Sequence, residues 1–193
     1  HRIIGLRKTN FNSFPFATYS AVRDIFSDDK NFAFMDVSSE VTDLTIVKNG
    51  AIIEAVSFPV GKNTLVRDVM EALGVPAEIA VSYLKMHSEK VAGGNLRGAI
   101  DMVINGTEKK WENAFSTALT ELSHGLSGIS KIFVTIDSDV APIFEKFIKK
   151  LKLNNRSSLS IGLNPIFINE DKLHHFVSTD STANTDAFLA LET

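Results

Sequence analysis

Apolar positions along the chain recur with two different periods. Between Asn31 and Pro59, Phe32, Phe34 and Asp36 are followed by Val41, Leu44 and Ile46, in two largely apolar segments separated by Ser38-Ser39-Glu40. Asn49-Gly50 comes next, a pair favoured in type I′ hairpin turns because both residues tolerate positive φ. The run Ala51 to Phe58 then reads as a returning strand, so three strands with tight links predict an antiparallel meander.

After Gly61 the period becomes helical. Leu65, Val66, Val69, Met70 and Leu73 lie on one face, with Asn63 or Thr64 as the expected N-cap and Gly74 as the stop. Pro76 opens a second helix carrying Ile79, Tyr83 and Met86 on its inner face. Val91 to Gly106 holds four glycines and an apolar patch, Ala99 to Ile104, compatible with strand or helix. Glu108 to Leu126 reads as a longer amphipathic helix with Trp111, Phe115, Leu119 and Leu122 inward. Lys131 to Thr135 is a buried-type strand, and Val140 to Leu151 a helix with Ile143, Phe144, Phe147 and Ile148 buried. Leu159 to Ile168 is strand-like, Asn169 to Thr185 a polar loop, and Asp186 to Leu191 the start of a final helix. This order predicts an α/β domain whose mixed sheet begins with the meander and is flanked by helices.

Composition narrows the function. Twenty Lys and Arg against 23 Asp and Glu give a formal charge of -3, which leaves no basic footprint for nucleic acid. The absence of Cys excludes thiol catalysis and thiolate metal sites and fits a reducing compartment. No stretch approaches the roughly 18 apolar residues that cross a bilayer, so no direct membrane insertion is expected. A chain starting at His1 rather than Met is expected to be an excised piece of a longer protein. His174-His175 with Asp171, His87 with Glu89, and His124 are read as solvated or capping groups rather than metal ligands. Lys149, Lys150, Lys152 and Arg156 form a basic cluster read as a solvated helix end.

The run from Phe34 to Asp43, leading into Lys48-Asn49-Gly50, resembles the second phosphate loop of the actin-like ATPase superfamily. In FtsA/PilM-like members that loop reads Asp-Ile-Gly-Gly-Gly-Thr-Thr-Asp between two strands. Asp36 matches the first Asp, Thr42 the second Thr and Asp43 the closing Asp, while Ser38, Ser39 and Glu40 stand in place of the glycines. Val60-Gly61 with Thr64 and Asp68 is similar to the Gly-x-x-x-Thr-x-Asp segment, with Thr64 one residue early. Ala80 to Lys85 is similar to the Glu-x-x-Lys helix that touches the nucleoside; Lys85 matches the Lys, and Ser82 stands where Glu is expected. Ile132 to Pro142 resembles the adenosine motif, with Ile136, Asp137 and Ser138 replacing its glycines. Thr185 to Leu191 is similar to the last helix.

The resemblance implies a ribonuclease H-like half-domain of the actin-like fold, the second half, without the first half's own phosphate loop. It places a core subdomain at 1–74 and 108–193 and a smaller inserted one at 75–107. It also implies a cytoplasmic bacterial scaffold, peripheral to the inner membrane through its partners. Those partners are proteins of a membrane machine for pilus assembly, secretion or cell division, with self-association. In the family's nucleotide site Asp36 orients magnesium-bound water, Ser38, Ser39 and Thr42 meet phosphate, and Lys85 and Ser138 meet the nucleoside.

Glycine suits such loops because it lets backbone N–H groups approach anionic oxygens closely. Ser38 and Ser39 keep a donor, whereas Glu40 adds like-charge repulsion of roughly 1–4 kcal/mol near a surface. Ile136 is β-branched and Asp137 charged, and both obstruct a flat approach to the base. The expectation is therefore a pseudo-ATPase scaffold with no catalytic residue, no cofactor and no metal. The alternative is the nucleotide-binding half of a working ATPase, holding ATP and magnesium through Asp36, Ser38, Ser39, Thr42, Lys85 and Ser138.

Overall fold

The computed structural model describes Tyr19, Val22, Arg23 and residues 29–123, 126–151 and 164–168. Three strands open it: β1 (Phe32–Val37), β2 (Thr42–Lys48) and β3 (Ala51–Phe58). They pair antiparallel, Phe34 opposite Thr45 and Leu44 opposite Val56, with an irregularity between Ile46 and Val47. Asn49 and Gly50 have φ of 52° and 71°, both positive as the tight turn requires. The turn is pinned to the chain entering β1, where Lys30 O accepts from the Gly50 amide and Asn31 Oδ1 from the Asn49 amide, each at 2.9 Å.

Four helices and two strands follow: α1 (Lys62–Leu73), α2 (Ala77–Ser88), α3 (Gly94–Glu121), β4 (Lys131–Ile136), α4 (Ala141–Leu151) and β5 (Asn164–Phe167). The sheet order is β3-β2-β1-β4-β5, with β4 parallel to both β1 and β5. This is the mixed α/β sheet that the sequence pattern predicts. Alternation gives β1 two buried faces. Ala33, Met35 and Val37 join Leu44, Ile46, Ile132 and Val134 in the main core against the helices, while Phe32, Phe34 and Asp36 point to the opposite face. There Phe32 meets Phe133 edge to face at 5.3 Å.

The helices depart from expectation in three places, each with a physical reason. α1 starts at Lys62 with no side-chain cap from Asn63 or Thr64, because main-chain carbonyls of the β1–β2 loop take its first amides. α2 buries Ala80 and Leu84, with Tyr83 packed beside them, and leaves Ile79 and Met86 more than a third exposed; its inner stripe is rotated by one residue. α3 begins at Gly94 rather than Glu108 and ends at Glu121. Ile100, Ile104, Thr107, Trp111, Phe115 and Ala118 form one continuous buried stripe along it, which outweighs the cost of Gly98 and Gly106, about 1 kcal/mol each. Helix α3 is continuous across residues 107 and 108.

Aromatic packing joins α3 and α4 to the sheet. Trp111 stacks on Phe115 at 5.3 Å, Phe58 meets both edge-on, and Phe147 lies 6.4 Å from Trp111. Ile143, Phe144, Phe147 and Ile148 are all buried, as the pattern of α4 predicts. The expected loop at 169–185, the final helix, His124, His174, His175, Lys152 and Arg156 lie outside the described residues.

Candidate functional site

The β1–β2 loop, Ser38 to Val41, is closed by the Ser38 amide and hydroxyl, which donate to Val41 O at 3.0 and 2.9 Å. It packs directly on the start of α1. The Lys62 amide donates to Ser38 O at 3.0 Å and the Asn63 amide to Ser39 O at 2.7 Å. Helix N-termini leave amides without partners, and that is what makes them attractive to anions. Here the loop's own carbonyls fill the role. The approach is close enough that a Cβ on Gly61 would sit 2.8 Å from Ser39 O and closer still to Ser38 O. Gly61 has an ordinary φ of -134°, so space, not conformation, demands glycine at this position.

Glu40 turns along α1. It accepts from Asn63 Nδ2 at 2.7 Å, and both its oxygens accept from Arg67 Nη1, the shorter contact at 2.9 Å. The Asn63 hydrogen bond and then Arg67 hold its carboxyl below the usual glutamate range.

Thr42 and Asp36 stand on opposite faces of the sheet. The buried Thr42 hydroxyl donates to Val60 O at 2.6 Å and accepts from Trp111 Nε1 at 3.2 Å. Asp36, 2% exposed, accepts from the Thr135 hydroxyl at 2.6 Å on the far face. Asp43 is tied to the Ser57 hydroxyl. Asp68 lies under α3, with Thr107 Oγ1 at 2.6 Å and Lys110 Nζ at 2.7 Å.

The β4–α4 turn lies beside the loop, because β4 runs parallel to β1 with Ile136 opposite Val37. Ile136 is partly buried against the core, and Ser138 is exposed at the tip. Asp137 and Asp139 both reach Lys62, at 2.9 and 2.7 Å. Burial pulls the Lys62 ammonium's pKa down, but its hydrogen bonds to Asp139 and Asp137 outweigh that and the net shift is upward. The Ser88 hydroxyl at the end of α2 donates to Asp139 O at 3.4 Å. Lys85 is on the exposed side of α2, 4.0 Å from Glu89. His87 Nε2 lies 2.8 Å from Asp101, joining α2 to α3.

Of the six residues that the sequence singles out, the fold brings Ser38, Ser39 and the segment carrying Ser138 to one junction. It separates Asp36 and Thr42 by the thickness of the sheet and leaves Lys85 in solvent. Sequence reasoning missed Lys62, which lies at the centre of the junction. The signal was a cation in the first turn of a helix, where the dipole disfavours it. Among the described residues, no group of three or more His, Asp or Glu is placed to hold a metal ion, and no helix is long and apolar enough to cross a membrane.

No family model and no curated protein sequence matches the chain. Solved structures do match by fold. One is the PilM-PilN type IV pilus biogenesis complex, at a TM-score of 0.56 and 11% identity over 86% of this chain and 44% of that one. A second is the ethanolamine utilization protein EutJ from Carboxydothermus hydrogenoformans, at 0.55 and 14% over 94% of this chain and 54% of that one. A third is an archaeal actin homologue, at 0.54 and 12% over 92% and 53%. The chain spans about half the length of each of these structures.

Proposed function

We propose that this chain, actin-like in fold, serves as a protein-binding scaffold module in which nucleotide plays no part. The observation that carries this reading is the capture of the first α1 amides by the carbonyls of Ser38 and Ser39. A phosphate group at this loop has to displace those two hydrogen bonds and then meet the carbonyl oxygens it has freed. The remaining groups fit ATP and magnesium no better. Thr42 is committed to Val60 and Trp111 inside the core, Asp36 faces the other side of the sheet, and Asp137 is paired with Lys62. No catalytic residue is assigned.

The fold shared with a chain of the PilM-PilN complex supports a protein partner within a membrane-associated assembly machine, with the module itself cytoplasmic. Titration calorimetry with magnesium-ATP tests the reading. The expected result is no binding tighter than about 0.1 mM. Micromolar binding, lost on Asp36→Ala, would revive the working nucleotide-binding half of an actin-like ATPase in its place.

A further inference from the structure

Lys62 holds two loops that leave the same end of the neighbouring parallel strands β1 and β4 but lie far apart in the chain. Its amide donates to the β1–β2 loop at Ser38 O, 3.0 Å, and its ammonium reaches the β4–α4 turn at Asp137 and Asp139, 2.9 and 2.7 Å. The helix dipole disfavours a cation at this position, and the two carboxylates supply the compensation. All three side chains are between a fifth and a third exposed, so the attraction is partly shielded from solvent but still open to screening by salt.

Two further features of Asp139 bear on this junction. Asp139 Oδ1 is buried without a hydrogen-bond partner, a cost that hydration removes when the turn swings away. The Asp139 carbonyl also receives the Ser88 hydroxyl, so α2 is attached to the same turn. The bridge therefore favours the closed junction while the orphaned oxygen favours opening.

We propose that Lys62 is a built-in, salt-sensitive latch that fixes the β1–β2 loop, the β4–α4 turn and the end of α2 in one arrangement. It rests on the nucleotide-independent reading above and gives the scaffold a reversible way to alter the surface it presents.

Amide hydrogen exchange on the full chain tests the latch at Asn63 and Val140, whose N–H groups bond to Ser39 O and Asp137 O. Lys62→Met is expected to speed both by roughly tenfold or more, which corresponds to ~1.4 kcal/mol. Lys62→Arg should keep most of the protection, and Lys149→Met should change neither amide. Unchanged exchange in a folded Lys62→Met protein overturns the latch while leaving the nucleotide-independent reading intact. If instead magnesium-ATP restores protection to Lys62→Met, the latch stands and that reading falls. Should Lys62→Met fail to fold, wild-type exchange decides: rising salt must release Asn63 and Val140 ahead of the β1 amides, and equal behaviour overturns the proposal.

Discussion

Trp111 and Thr42, 69 residues apart in the chain, meet under the sheet where the indole N–H donates to the threonine hydroxyl at 3.2 Å. The same hydroxyl donates to Val60 O at 2.6 Å, so one buried side chain ties β2, the segment entering α1, and α3 together. Replacing Thr42 with Val keeps the shape and strands both partners. The expected loss is about 2–4 kcal/mol, from two buried polar groups left without their bonds. Urea denaturation measures it, and a loss under the cost of one surface residue would mean that water reaches the site.

Two glycines should respond in opposite directions to the same substitution. Gly61→Ala puts a methyl group against the Ser38 and Ser39 carbonyls and should cost about 1–3 kcal/mol. Gly98→Ala, in the exposed part of α3 with nothing within 4 Å of its Cβ, should stabilise by about 0.4–1 kcal/mol. Denaturation midpoints of the two variants give the comparison directly.

Glu40 makes the pH dependence of the loop predictable. Its folded-state pKa is lowered, first by Asn63 and then by Arg67, so its contribution is present above the ordinary glutamate value. That contribution is lost as pH falls through the lowered value. Glu40→Gln should therefore be less stable than wild type near neutrality, and the gap should close on acidification. Parallel melting curves from neutral to acidic pH check the sign; a gap that widens in acid would contradict the assigned partners.

Restoring glycine to the loop should not create a nucleotide site. The triple change of Ser38, Ser39 and Glu40 to Gly leaves the carbonyls of residues 38 and 39 still accepting from α1 and Lys62 still bridged to Asp137 and Asp139. Calorimetry with magnesium-ATP on this variant should match wild type. A gain of tenfold or more in affinity would show that the missing glycines, not the captured amides, are the obstacle.

The strands were legible because their signals are local. The largely apolar run Phe32–Val37 and the Asn49-Gly50 turn need no distant partner to be read, and the four buried positions of α4 follow from spacing alone. Helix α3 was harder because Gly98 and Gly106 look like breaks. They are carried by a stripe, Ile100 to Ala118, whose value appears only when the sheet is beneath it. In α2, small Ala80 allows close packing and so defines the inner face, whereas larger Ile79 and Met86 draw attention in the sequence. The site was least legible. The loop sequence marks Thr42 for phosphate, but Trp111 takes it, and Lys62 meets Asp137 across 75 residues that no spacing rule connects.

The parallel pairing of β1 with β4 also sets the order of events as the chain leaves the ribosome. The meander closes on itself within a few tens of residues, yet Ala33 has to wait for Ile132. At roughly 5–20 residues per second, one side of β1 stays an open edge for about 5–20 s of synthesis. This largely apolar strand is buried on both faces in the finished fold, the kind of edge that recruits the wrong neighbour. Pauses in translation between Pro59 and Lys131 should thus increase aggregation of the nascent chain, whereas pauses well after Phe167, when β5 has closed the other edge of β4, should not.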